Sequence, residues 1–188
     1  TNADLTGAIL YQSTLTDANL AGATVTGANF YDTTSRGFSQ QQLYSTASYQ
    51  SRNLQGIRLP GNDLSGWDFS MQDLKNASLS SSNFTGANLA DANLTSALLY
   101  YSTLTGADLS GANLTSAYLD QSNLTDANLM NSNLTSASLY YSTLSGADLT
   151  GAIVAGARFD GATSQGFTQQ QLYSTASYQQ MNLQGIGL

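Results

Sequence analysis

The stretch ANLTSALLYYSTLTGADLSGANLTSAYLDQ, residues 92 to 121, divides into fives, and the fives decide the fold. Each unit carries Leu at its third position (Leu94, Leu99, Leu104, Leu109, Leu114, Leu119) and Ala or Ser at its first. A period of five matches neither the 3.6 of an amphipathic helix nor the 2 of an alternating strand. A short period in a long array marks a solenoid, where a unit buries its apolar side chain only by stacking on neighbours. A slower rhythm sets the coil. ANLTS at 92 returns as ANLTS at 112 and SNLTS at 132, while ALLYY, AYLDQ and ASLYY start at 97, 117 and 137. Four units therefore make one turn, and residues twenty apart share a face.

Working outward, the same phase runs from Ala3 (ADLTG, AILYQ, STLTD, ANLAG) through TTSRG to Gly37, resumes near Arg52 and continues to Gly166. A narrow four-sided shaft has room for one large apolar and one small side chain per side. Larger polar groups there would be left without partners. Each buried Leu contributes about 1.5–3 kcal/mol, and successive coils lie about 4.8 Å apart, the spacing of neighbouring strands.

With the motif A-(D/N)-L-x-x in view, the chain resembles the pentapeptide repeat family. That resemblance implies an all-β solenoid, a right-handed quadrilateral β-helix, with the Leu or Phe and the small first residue inward and the other three residues outward. The closer likeness of GFSQQQLYSTASYQ followed by NLQGIRL and NDLSGWDF is to cyanobacterial and environmental-bacterial members with helical insertions.

That phrase occurs at 37 to 50 and again, as GFTQQQLYSTASYQ, at 166 to 179. Ser39 with Gln42, and Thr168 with Gln171, have the spacing of a capping box, and Phe38 with Leu43, and Phe167 with Leu172, that of a hydrophobic staple. A short helix is predicted near 40–48 and another near 169–177. Ser35 and Ser164 are read as the last central residues in phase before each. The chain thus divides into first coils at 1–37, a helical insertion at 38–51, main coils at 52–166, a second insertion at 167–180 and a partial coil at 181–188, all one domain. Because NLQGIGL at the end matches NLQGIRL at 53–59, the chain reads as a slice of a longer tandem array. After the first insertion the small inward positions are filled by Arg52, Ile57, Asn62, Trp67 and Gln72 before Ala77 restores order. The reading preferred there is a distorted coil covered by the insertion, with a partner site as the alternative.

Composition narrows the chemistry. Hydrophobic residues make up 41% but charged residues only 9%, where about a quarter is usual, so the surface rests on Ser, Thr, Asn and Gln. All twelve acids are Asp, the bases are Arg36, Arg52, Arg58, Lys75 and Arg158, and the net charge is −7. Without His, Cys or Glu the usual general bases and activated nucleophiles are missing, and Lys75 lacks a phosphate-cradling loop. No catalytic residue, cofactor or metal site is expected. In the column Asp68, Asn88, Asp108, Asn128, Asp148, acids alternate with amides, which keeps carboxylates about 10 Å apart, too far for one ion to bridge.

Outward tyrosines form the one surface feature with a binding character. Tyr11 and Tyr31 should stack, and the same face carries Leu98, Tyr100, Tyr101, Tyr118, Tyr140 and Tyr141 as a candidate interaction patch. The alternative is a tyrosine ladder that stabilises the wall by cross-strand pairing. The function expected is a non-enzymatic structural or protein-interaction scaffold with an unidentified protein partner. The competing reading, suggested by family members that protect DNA gyrase, is a DNA mimic. From 76 to 157 there are five Asp and no base. Duplex DNA carries about one charge per 1.7 Å, several-fold denser than this. No direct nucleic-acid binding and no membrane insertion are expected. Bare end coils would permit end-to-end self-association. Low Lys, absent Cys and abundant Ser, Thr and Asn favour an extracytoplasmic over a cytoplasmic location.

Overall fold

Every corner of the coil is a tight turn that uses two of the five residues, which leaves three to form each wall. In the computed structural model, which describes residues 2–188, the walls are accordingly ladders of single parallel bridges rather than long strands. Asn93 pairs with Asn113 and Asn113 with Asn133, Leu98 with Tyr118 and Tyr118 with Ser138, Thr103 with Asn123, and Asn88 with Asp108, always twenty residues apart. Each bridge has two hydrogen bonds. The Leu99 N–H donates to the Tyr118 carbonyl at 2.7 Å, and the Tyr118 N–H returns to the Ala97 carbonyl at 2.9 Å. The corner closes when the first residue of the next unit donates to the central residue's carbonyl, as Ala107 does to Leu104 at 3.0 Å.

The unit's sequence follows from this geometry. Central Leu and Phe residues and first-position Ala and Ser residues fill the shaft; Leu94, Leu99, Leu104, Leu109 and their neighbours above and below are fully buried. At the second position Asn or Asp turns its side chain back to accept the N–H of the residue two further on: Asn93 from Thr95 at 3.2 Å, Asp108 from Ser110 at 3.0 Å. Where the fourth residue is Thr, its hydroxyl adds a second bond, 2.7 Å from Thr95 to Asn93. These Asx turns pre-shape the corner. The fifth residue lies at positive φ throughout, +61° at Gly106 and +60° at Tyr101. That is why Gly, Asn, Asp and Ser dominate the position.

Both insertions depart from the coil in the same way. A 3-10 turn at Thr34–Arg36 and a left-handed Gly37 lead to two helices, α1 (Gln40–Tyr44) and α2 (Ala47–Gln50). A 3-10 turn at Ala162–Gln165 and Gly166 lead to α3 (Gln169–Ser174) and α4 (Ala176–Gln179). The capping boxes on Ser39 and Thr168 form in full. The coil re-enters register twenty-nine residues on, Asn29 pairing with Arg58 and Arg158 with Gly187.

Three sequence expectations change. The single helix predicted in each insertion is two, because Thr46 and Thr175 take extended backbone and cap a new first turn, accepting from Tyr49 N–H and Tyr178 N–H. Ser35 and Ser164 are not the last inward residues. They sit exposed in the 3-10 turns, and Phe38 and Phe167 turn inward instead, their rings stacked 4.6 Å from Phe30 and 4.4 Å from Phe159. Arg52 does not enter the small slot. It is exposed at a positive-φ corner (+58°), and Ser48 of α2 is buried beneath it, its hydroxyl accepting the Val25 N–H at 2.9 Å.

Trp67 is accommodated because the layer below it is the insertion and not a coil. Its ring lies 5.8 Å from Phe38, 6.5 Å from Tyr44 and 6.2 Å from Phe69. The backbone of the next residue is held by two phenols. The Asp68 N–H donates to the Tyr44 hydroxyl, and the Tyr49 hydroxyl donates to the Asp68 carbonyl at 2.8 Å. Asn62 completes the seam, accepting the Thr33 and Thr34 N–H groups at 2.8 Å each and donating to the Phe30 carbonyl at 2.7 Å.

Three outcomes are expected. A Cβ at Gly37, where φ is +90°, would stand 2.7 Å and 2.8 Å from the backbone of Thr16. Gly86, at φ +63°, faces open space. Chemical denaturation should show Gly37→Ala costing ~2–3 kcal/mol and Gly86→Ala only ~1 kcal/mol. Second, the buried Ser132 hydroxyl has no hydrogen-bond partner among the described residues, whereas that of Ser82 donates to the Leu59 carbonyl at 2.8 Å. Ser132→Ala should therefore be neutral or stabilise by up to ~1 kcal/mol, and Ser82→Ala should destabilise by ~1 kcal/mol. Third, burial, and after it the neighbouring Tyr44 and Asp68, push the Tyr49 phenol well above its ordinary range. Because the folded value is the higher one, the stabilisation is complete below about pH 10 and is lost as pH rises further. The stability advantage of the wild-type chain over Tyr49→Phe should narrow when urea melts at pH 8 and pH 11 are compared.

Candidate interaction surface

The tyrosine face is the wall whose inward column runs Leu79, Leu99, Leu119, Leu139. Its second-position ladder is Leu98, Tyr118, Ser138, Arg158, joined by consecutive bridges. The turn positions beside that ladder read Tyr100–Tyr101, Asp120–Gln121 and Tyr140–Tyr141 in three successive coils. Tyr101 is 59% exposed, Tyr118 49%, Tyr141 48% and Tyr140 39%, while Leu98 and Tyr100 are half-buried. All six residues singled out in the sequence therefore lie on one face.

They do not form a continuous ring stack. Within each pair the rings meet edge to face, 5.9 Å apart for Tyr100 and Tyr101 and 4.5 Å for Tyr140 and Tyr141. Between the pairs lies a polar step. Gln121 donates its amide to the Tyr101 hydroxyl at 3.2 Å. Asp120 accepts the Ser138 hydroxyl and, at 3.2 Å, the Tyr140 N–H. Above, the Arg158 guanidinium stands 5.9 Å from the Tyr140 ring centre and pairs with Asp160 at 3.2 Å. The Tyr141 ring lies over Gly161, where a Cβ would come within 2.9 Å of it. Side chains on this wall are thus positioned by neighbours one coil away. Tyr11 and Tyr31 do stack, ring centres 4.8 Å apart, but on the early coils, below Gly61 and away from the patch.

In the acid and amide column on the adjoining wall, one amide bonds the carboxylate of the coil below. Asn128 donates to Asp108 at 3.0 Å, and on other walls Asn83 does so to Asp63 at 3.0 Å and Asn93 to Asp73 at 2.9 Å. Hydroxyl and amide donors of Ser65, followed by Asn83, hold the Asp63 carboxyl below the usual range. Sequence spacing showed the alternation; what it concealed was that Asn83, Asn93 and Asn128 each donate to the carboxylate one coil below. Among the described residues no group of three or more acidic side chains converges on a common point, and no helix is long and apolar enough to cross a membrane.

A family model for pentapeptide repeats matches residues 1–34, 53–89, 73–111, 87–126, 112–151 and 127–163, and the chain belongs to the pentapeptide repeat family, whose members fold as right-handed quadrilateral β-helices. The match leaves out residues 35–52, which hold the first insertion, and residues 164–188, which hold the second insertion and the partial coil after it. Among solved structures it is similar to a pentapeptide repeat protein of the Arabidopsis thaliana thylakoid lumen, with 33% identity over 60% of this chain and 85% of that one and a TM-score of 0.51. It is similar also to a trypsin-treated form of QnrB1, a plasmid-mediated fluoroquinolone resistance protein, with 24% identity over 77% of this chain and 67% of that one and a TM-score of 0.57. No curated protein matches the chain significantly.

Proposed function

We propose that this chain is a non-enzymatic scaffold that presents the wall of Leu98, Tyr100, Tyr101, Tyr118, Tyr140 and Tyr141 to a protein partner. The observation that supports this reading most is the exposure of four tyrosines, 39–59%, on a wall whose backbone is fixed by bridges on both sides. Aromatic side chains with few rotatable bonds contribute large contact area at small entropic cost, which is why they are enriched at interfaces. The polar step of Asp120 and Gln121 between the two tyrosine pairs supplies hydrogen-bonding groups at the centre of the patch. A partner that lays a flat, mixed apolar and polar surface along three coils would engage all six residues. The absence of His, Cys and Glu from the sequence supports a role without catalysis.

Mimicry of DNA is the weaker reading. The likeness to QnrB1 supports a common fold, but the carboxylates here are sparse, and those at Asp63, Asp73 and Asp108 accept hydrogen bonds from the next coil's amides. A compartment outside the cytoplasm accords with the composition.

Affinity capture from an extract of the source cells, with the wild-type chain and with Tyr101→Ser/Tyr140→Ser/Tyr141→Ser as baits, tests the first reading. Each tyrosine at the centre of such a contact accounts for ~1–2 kcal/mol, so the triple variant should lose its partner by ~100-fold or more while retaining its melting temperature within a few degrees. An unchanged set of captured proteins would exclude the patch. Inhibition of DNA supercoiling by gyrase, if observed with the wild-type chain, would favour mimicry instead.

A further inference from the structure

The insertion occurs twice, and the two copies differ in what covers them. Residues 23–59 and 152–188 share the same hydrogen bonds: Ala47 N–H to Ala23 C=O and Ala176 N–H to Ala152 C=O at 2.9 Å each, and Gly27 N–H to Gln55 C=O at 3.0 Å and Gly156 N–H to Gln184 C=O at 2.9 Å. The phenol pairs match as well, Tyr44 with Tyr49 at 4.2 Å between ring centres and Tyr173 with Tyr178 at 4.3 Å. Over the first copy lies the segment PGNDLSGWDF, residues 60–69, with Trp67 against Phe38 and Tyr44 and the Asp68 backbone between the two phenols. Over the second, none of the described residues lies. Leu43 is fully buried but its counterpart Leu172 only partly, and Tyr173 and Tyr178 are 42% and 38% exposed. A cleft of about 340 Å³ opens there, lined by Thr163, Phe167, Leu172, Tyr173 and Leu188.

We propose that this end, Phe167, Leu172, Tyr173 and Tyr178, is a docking platform for one further pentapeptide coil that carries a tryptophan in its small inward slot, entered from Leu188 as residues 60–69 are entered from Leu59. The proposal is independent of the tyrosine face. Leu188 occupies the place of Leu59, since Arg158 pairs with Gly187 as Asn29 does with Arg58. The chemistry of the occupant is read from the first copy. An indole fills the space above the Phe and the first Tyr of the insertion, and the peptide unit after it satisfies both phenols. An Asn five residues before the Trp accepts the N–H groups of the 3-10 turn. The N-terminal coil of a second molecule offers Ala18 where Trp67 stands and Ser13 where Asn62 stands. It would leave the cleft unfilled.

The test is a chain extended after Leu188 by a second copy of residues 60–107. Amide exchange over residues 172–186 should slow by ~10-fold or more relative to the 188-residue chain, as expected when a fraying end becomes an interior coil. Replacing the appended tryptophan by Ala should remove most of that gain. Equal exchange with and without the extension, or with and without its tryptophan, overturns the proposal. In the 188-residue chain itself, Trp67→Ala should speed exchange over residues 40–50 by a similar factor, and unchanged exchange there would also overturn it, whether or not the extended chain folds. Sedimentation gives the remaining arm. Concentration-dependent head-to-tail oligomers that Tyr173→Asp abolishes would assign the platform to a second copy and against the Trp-bearing coil.

Discussion

Register between coils is the constraint on which everything else here depends. Each wall is held to the next by two backbone hydrogen bonds per bridge, and a bridge forms only when residues occupy equivalent positions one turn apart. A shift of one residue would turn every Leu outward and bring the Asn and Thr side chains into the shaft. The length of the unit, the two-residue corner and the left-handed fifth position all serve this one requirement. So does the choice of Asn or Asp at the second position, since the Asx bond sets the corner before any coil is stacked on it.

An insertion into such a stack is tolerated only if it returns the chain to phase and leaves no backbone group of the adjacent coil without a partner. Both insertions meet these terms with the same devices. Gln42 donates to the Leu15 and Ala18 carbonyls at 2.6 Å and 2.8 Å, and Gln171 to those of Leu144 and Ala147 at 2.7 Å and 2.8 Å. Ser48 and Ser177 accept the N–H groups of Val25 and Val154, each at 2.9 Å. Gln42 and Gln171 thus have two tasks, closing the capping box and covering the Ala18 and Ala147 carbonyls, whose equivalents in a regular coil accept from the coil above. The phrase GF(S/T)QQQLYSTASYQ is a detour whose side chains replace one wall of the ladder.

Features local to the repeat could be read from the sequence, and those created by contact across coils could not. The central Leu, the small first residue and the twenty-residue turn are written in the period itself. The helix starts were legible because a capping box is a short-range device. The break at Thr46 was hidden because a Thr inside a helical phrase looks like an ordinary residue until its backbone is seen extended and its hydroxyl capping. The fate of Arg52 was hidden for another reason: Ser48, from within the insertion, takes over the bond that the missing inward residue would have supported. Trp67 is the clearest case. Its slot is too small in a regular coil, and only the replacement of the layer beneath by Phe38 and Tyr44 makes room. For the tyrosine face, position and direction followed from the period, but the Asp120 and Gln121 step that organises the pairs needed side-chain positions to appear.

A surface with so few charges must account for its polar groups in some other way, and here it does so internally. Thr95, Thr115, Thr125 and Thr135 each donate to the Asn two residues before, at 2.6–2.7 Å, and the Asn side chains of one coil bond the Asp of the coil below. Side chains engaged in this way have little left to offer another molecule, and disengaging them would cost about 0.5–1.5 kcal/mol per bond. The tyrosines on the Leu98–Tyr118 wall differ. Four of them are 39–59% exposed, and Asp120 and Gln121 stand between the two pairs. On the reading proposed above, that wall offers a partner ring surface, which the hydrogen bonds of the Asx layer do not occupy.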